Sequence, residues 1–217
     1  GETMAIAREL VLKPTTWAMR RIDPATGREI WTGIMRMDPA TGTLLILDRA
    51  LLRQLYAQVL PALDALDPFL TGDETDRRGV KIAIGREAVV NPSVWRTFIT
   101  LEFDPSTGAL LHVAVDLARF EQLFIAFNNL EGGIERYLTG DKTENAGTRM
   151  AIARELLSQY ENWDRFFTRT GRIQPGAEGL VARLFTTFEA LRAIDPYLSG
   201  DETERAGIRM AVARDIV

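Results

Sequence analysis

Apolar residues recur at helical spacing through three stretches, Leu51 to Leu66, Leu117 to Leu138 and Gly179 to Ile194. Each runs into a short turn with an aromatic–Leu pair: Asp67-Pro68-Phe69-Leu70-Thr71-Gly72, Tyr137-Leu138-Thr139-Gly140 and Asp195-Pro196-Tyr197-Leu198-Ser199-Gly200. A related phrase then follows each turn: GDETDRRGVKIAIGRE from Gly72, GDKTENAGTRMAIARE from Gly140 and GDETERAGIRMAVARD from Gly200. Met4-Ala5-Ile6-Ala7-Arg8-Glu9 is a fragment of the same phrase. Self-similarity at this spacing predicts a chain assembled from a repeated, degenerate supersecondary unit.

The phrase predicts a capped helix. Asp73, Asp141 and Asp201 stand at the N-cap, and Asp76, Glu144 and Glu204 three positions on can close a capping box. Small residues recur four apart inside it, at Gly79/Ala83, Gly147/Ala151 and Gly207/Ala211. An interior Gly is costly in a helix, so close approach of a neighbouring backbone is expected there, with Ile82, Met150 and Met210 in corresponding buried positions. The chain begins and ends inside this phrase, as a trimmed chain would, or one whose ends meet the way neighbouring repeats do.

Strands are expected between the helix pairs. Asp23–Gly27, Asp38–Gly42 and Asp104–Gly108 share a turn sequence in which Pro presets φ and Gly accepts positive φ. Their flanks, Thr15–Ile22, Arg28–Met37 and Thr43–Leu47, predict a three-stranded meander, and Val94–Phe103 with Leu110–Val115 a hairpin. In the third round Trp163, Phe166 and Phe167 precede a degenerate hairpin or loop. The expected class is α+β, an antiparallel sheet of about five strands packed by helix pairs. Segments 1–88, 89–156 and 157–217 would be three such rounds of one compact domain.

Composition narrows the chemistry. The 217 residues include no Cys, which removes disulfides and thiolate metal sites, and only His112 among histidines. His112 falls on a predicted strand as a surface or sheet-edge residue. No phosphate-cradling loop, H-E-x-x-H motif or nucleophile-base arrangement occurs, so the chain reads as non-catalytic, without cofactor or metal. The acidic groups after Gly72 and Gly200 do not match the ligand spacing of a calcium loop, and capping accounts for them. Without membrane-length apolar runs or a signal-peptide layout, a cytoplasmic protein is expected.

The net charge is −4, yet Arg dominates: only Lys13, Lys81 and Lys142 among 26 basic residues are lysine. Alternation along Val94–Phe103 puts Arg96 and Phe98 on the face opposite Trp95 and Ile99. The meander adds Arg20, Arg21 and Arg36 with Trp17 and Trp31. Aromatic and Arg side chains on an open sheet suit single-stranded DNA or RNA, bases stacking on rings while Arg tracks phosphate. The alternative from the same residues is a protein–protein or self-assembly module, with the aromatics packed under helices or at an interface.

Overall fold

The computed structural model describes residues 2–12, 14–23, 25–38, 40–140, 142–198 and 202–217. It is α+β, and its contacts divide it into two compact units, Gly1–Leu117 and Ala118–Val217.

In the first unit, α1 (Glu2–Leu12) leads through a 3-10 turn, Pro14–Trp17, into β1 (Ala18–Ile22) and β2 (Glu29–Gly33). Then follow β3 (Met35–Met37), β4 (Leu44–Leu47) and α2 (Arg49–Gln54). The Asp48 carboxylate caps α2, accepting the Ala50 and Leu51 N–H groups. Pro61 has no N–H to give to the ladder, and the turn before it, Leu55–Val59, slips to π geometry, with Leu60 N–H bonded to Leu55 C=O. α3 (Leu60–Leu63) and a 3-10 segment, Asp64–Phe69, complete this helix. α4 (Glu74–Val90), α5 (Pro92–Trp95), β5 (Ile99–Phe103) and β6 (Leu110–Val115) follow. Leu55, Leu60, Leu63 and Leu66 are fully buried, with Ile84 and Ala88 of α4 also in the core.

Among the described residues the strands form three separate two-stranded ladders, not one sheet of about five. The reason lies at two breaks. Gly33 has φ of +132°, and a Cβ there would stand 2.6 Å from the Ala18 Cα, so the expected strand Arg28–Met37 bends into β2 and β3 with different partners. The strand expected over Val94–Phe103 begins only at Ile99. Trp95 and Phe98 are both buried, a spacing of three that a turn satisfies and a flat strand does not. β1 likewise begins after Trp17, the last residue of the 3-10 turn.

All three Asp-Pro turns form as expected. Gly27, Gly42 and Gly108 take φ of +65°, +68° and +69°. Each Gly N–H donates to its Asp carbonyl at 2.8 Å. The Asp carboxylates gather local donors, chiefly the Thr26 hydroxyl on Asp23, the Ala40 N–H on Asp38 and the Ser106 hydroxyl on Asp104. All three are held below the usual carboxylate pKa.

In the second unit, α6 (Leu117–Ile134, its first residue at the boundary) ends in a 3-10 turn and is followed by α7 (Lys142–Ser158), α8 (Glu178–Ala190) and α9 (Glu202–Ile216). Between α7 and α8 the expected degenerate hairpin is a single bridge, Phe167 to Ile173. Gly171 turns it with φ of +77° directly against α6, where a Cβ would lie 2.3 Å from the Ala126 oxygen.

Asp73 makes the expected capping box with Asp76, at 2.9 and 3.2 Å. Asp141 and Asp201, with the side chains of Glu144 and Glu204, lie outside the described residues. The close approach falls elsewhere than expected. A Cβ on Gly79, Gly147 or Gly207 would meet open space. Gly85 instead faces Leu55, Leu60 and Leu63 at 3.0 to 3.3 Å, and Ala153 and Ala213 at its aligned positions are fully buried. Ile82 and Met210 are buried as expected, whereas Met150 is half-buried, as are Ala83, Ala151 and Ala211. In a urea melt, Gly79→Ala should therefore stabilise by about 0.5–1 kcal/mol. Gly85→Leu should destabilise by about 1–3 kcal/mol through overpacking.

Candidate functional site

Trp17, Trp95 and Trp163 are buried, and each gives its indole N–H to a glutamate eight residues earlier. The bonds run to Glu9 at 2.9 Å, Glu87 at 2.8 Å and Glu155 at 2.6 Å. Each glutamate sits three residues before the end of its helix, α1, α4 or α7. The Trp carbonyl then accepts the N–H of Ile34, Phe98 or Phe166, and that residue's carbonyl accepts the N–H of Asp48, Asp116 or Gln174. The same three hydrogen bonds thus frame a hairpin, a hairpin and a loop. In the first case β1 and β2 are interposed between Trp17 and Ile34.

Arginines complete two of these centres. Arg86 of α4 donates to Glu9 at 2.6 Å with its guanidinium carbon 5.3 Å from the Trp17 ring centre. Arg214 of α9 reaches Glu155 at 3.4 Å and lies 5.7 Å from the Trp163 ring. A second set of buried cations faces acids of the preceding helix and turn. Lys81 meets Asp64 and Asp67 at 2.6 and 2.9 Å, Arg149 meets Glu131 and Glu135 at 2.9 and 3.6 Å, and Arg209 meets Asp195 at 3.2 Å. Burial opposes the Lys81 charge, but the hydrogen bonds it donates to the Asp64 and Asp67 carboxylates, with their negative charges, outweigh burial and raise its pKa. Arg149 and Arg209 also lie over the Phe127 and Phe188 rings.

A groove of about 960 Å³ lies in the first unit between α1 and α4. Its charged lining is largely engaged internally, by the Arg86–Glu9 and Lys81 pairs and by Tyr56, which donates to Glu2 at 2.7 Å. Burial first, and then this bond, push the Tyr56 pKa up to about 12. Among the described residues no three acidic or His side chains converge as metal ligands.

Of the residues expected on an open sheet face, Arg96, Phe98, Arg20, Arg21, Arg36, Trp17 and Trp31, the rings of Phe98 and Trp17 are turned into the core. Phe98 is 1% exposed, packed edge-on against Trp95 at 5.8 Å, and Trp17 is wholly buried. Arg96 is exposed without the ring expected beside it, because the turn at Trp95 sends Phe98 inward. Arg36 lies 4.9 Å over the half-buried Trp31, on the β2 and β3 side of the unit. The side chains of Arg20 and Arg21 lie outside the described residues. His112 is exposed on β6, as expected.

What the surface does offer is β4. Leu44 and Leu45 are 45% and 50% exposed, and Leu45 is the extra residue of a bulge in the β3–β4 ladder, whose β3 side packs inward through buried Met35. Leu47 is exposed as well, and no charged residue or Pro interrupts Thr43 to Leu47. β4 pairs only with β3 among the described residues.

The chain matches no protein-family model, no curated protein and no solved structure. Among the described residues no helix is long and apolar enough to cross a membrane.

Sequence reasoning passed over the glutamates and β4. The signal for the first is Arg-Glu followed by Trp eight positions after the Glu, present at Arg8-Glu9, Arg86-Glu87 and Arg154-Glu155. Glu155→Ala, which strands the Trp163 N–H, should cost about 1–3 kcal/mol in a denaturant melt. Glu155→Gln, which keeps an acceptor, should cost less, and Glu161→Ala on the open surface should stay within about 0.5 kcal/mol.

Proposed function

We propose that this chain is a non-catalytic, repeat-built interaction module that associates with a second copy of itself through β4. The observation that carries the reading is the uncharged β4 edge, with Leu44, Leu45 and Leu47 exposed and a bulge at Leu45 as its one interruption. An open apolar edge is a template for another strand, and soluble proteins normally blunt such edges with charge, Pro or a cover. β4 against its symmetry mate would extend two ladders into one four-stranded sheet, an isologous contact that closes at the dimer. The recurrence of the Glu–Trp bond and its framing hydrogen bonds supports the degenerate-repeat reading. Nucleic-acid binding is less favoured, because Phe98 and Trp17 offer no ring to a base.

Sedimentation velocity over a concentration series tests this. The wild-type chain should dimerise, and Leu45→Glu should be monomeric with an unchanged melting temperature, its side chain being solvent-facing in the monomer. A wild-type monomer at the highest soluble concentration would sink the reading. So would single-stranded oligonucleotide binding that weakens steeply with salt and is lost in Arg36→Ala with Arg96→Ala, which would restore the nucleic-acid alternative.

A further inference from the structure

Four turns in this chain close in the same way. The N–H of Asp23, Asp38, Asp104 and Thr168 donates across the turn to the carbonyl of Arg28, Thr43, Ala109 and Arg172, each at 2.8 Å. In the first three, the Asp carboxylate then takes the donors that the turn itself presents. These are the N–H two residues on, from Ala25, Ala40 or Ser106, and a hydroxyl from Thr26, Thr41 or Ser106. The fourth turn, in the second unit, is one residue shorter and has a hydroxyl in the carboxylate's place. The Thr168 and Thr170 hydroxyls share one hydrogen bond at 3.0 Å, and Thr168 Oγ1 accepts the Arg172 N–H at 3.2 Å. Two hydroxyl hydrogens and one shared bond leave an O–H still to give. The Thr170 N–H has no acceptor among the described residues either.

The charge is inverted together with the acceptor. Between Asn162 and Ala177 the chain carries Arg165, Arg169 and Arg172 against Asp164 alone. All three Arg are exposed, and none forms an ion pair among the described residues. Arg165 gives an N–H to the Arg214 carbonyl, which leaves Arg169 and Arg172 as the cations flanking the turn. The Arg169 guanidinium is seated 4.3 Å over the Tyr160 ring, so a ring rather than an acid orients it. The turn itself is tied down. Gly171 lies directly against α6, and Asn129 of α6 donates to the Thr170 carbonyl at 2.6 Å. Donors already fixed in place need little ordering to receive an anion.

We propose that the turn Thr168–Arg172 binds the phosphate monoester of a small molecule, whose oxygens take the place that the Asp carboxylate holds in the other three turns. Arg169 and Arg172 supply planar, charge-assisted donors, and the Thr170 N–H and the spare hydroxyl supply neutral ones. A carboxylate has two oxygens in one plane and a single charge. Two unpaired guanidinium groups and two neutral donors match three oxygens and a charge near −2 better. The site lies in the second unit and rests on nothing in the β4 reading.

Inorganic phosphate, titrated into the intact chain at constant ionic strength and followed by amide chemical shifts, is the test. Saturable shifts should centre on Thr168–Arg172 with phosphate, and acetate should give none. Thr168→Asp, which restores the carboxylate of the other turns, should weaken binding by about tenfold or more and keep the melting temperature. Arg169→Ala with Arg172→Ala should weaken it by at least as much. Both Arg are exposed, so this pair carries the test however Thr168→Asp folds. No saturable shift, an equal response to acetate, or phosphate binding that survives the Arg pair overturns the proposal. So does a response to a single-stranded oligonucleotide with none to phosphate, which would make the turn a contact for nucleic acid.

Discussion

A tryptophan taken out of water carries one N–H that must be given to an acceptor, or its desolvation costs about 1–3 kcal/mol. In this chain the acceptor is a carboxylate near the end of the preceding helix, and the bond fixes how the backbone leaves that helix. Once the indole is anchored, its own carbonyl is positioned to receive the next buried residue's N–H, and the hairpin or loop starts from there. Arg86 and Arg214 lie over the ring and on the glutamate together, so a single carboxylate serves a neutral donor and a cation in two of the centres. A hairpin can be interposed, as β1 and β2 are, or shrunk to the Phe167–Ile173 bridge, while this frame stays the same.

Burying cations is expensive unless they are paired and hydrogen-bonded. Lys81, Arg149 and Arg209 each form an ion pair with an acid fourteen residues earlier, Asp67, Glu135 and Asp195, and Lys81 also donates a hydrogen bond to Asp64. The planar guanidinium adds a stacking face, used on Phe127 and Phe188, that an ammonium lacks. The preference for Arg, which could signal phosphate contacts, is therefore partly absorbed by the interior. Among the exposed apolar residues are Leu44, Leu45 and Leu47 of β4 and Met4 and Val11 of α1.

Much of the local structure was legible in the chain. Helical spacing, the cap at Asp73 and the Asp-Pro-x-Thr-Gly turns act over a few residues, and nothing distant overrode them. The candidate site was less legible. Alternation assigned Phe98 to the open face because it assumed a flat strand from Val94. The bond from Trp95 to Glu87 turns the backbone before the strand begins and carries Phe98 inside. Gly79 and its counterparts looked like contact points, yet the contact belongs to Gly85, Ala153 and Ala213 on another side of the helix.

The sequence by itself determined the α+β class, the order of helices and turns, and the recurrence of one phrase. These follow from periodicity and from φ preferences that each residue carries with it. Only the tertiary structure decided how the strands are partnered, which Arg are interior and which apolar residues stay in water. Strand partnering turned on the Gly33 backbone meeting Ala18, and the Arg placement on carboxylates from other helices. The exposure of Leu44 and Met4 turned on whether anything packs over them. Those are contacts between distant residues, and no local pattern encodes them.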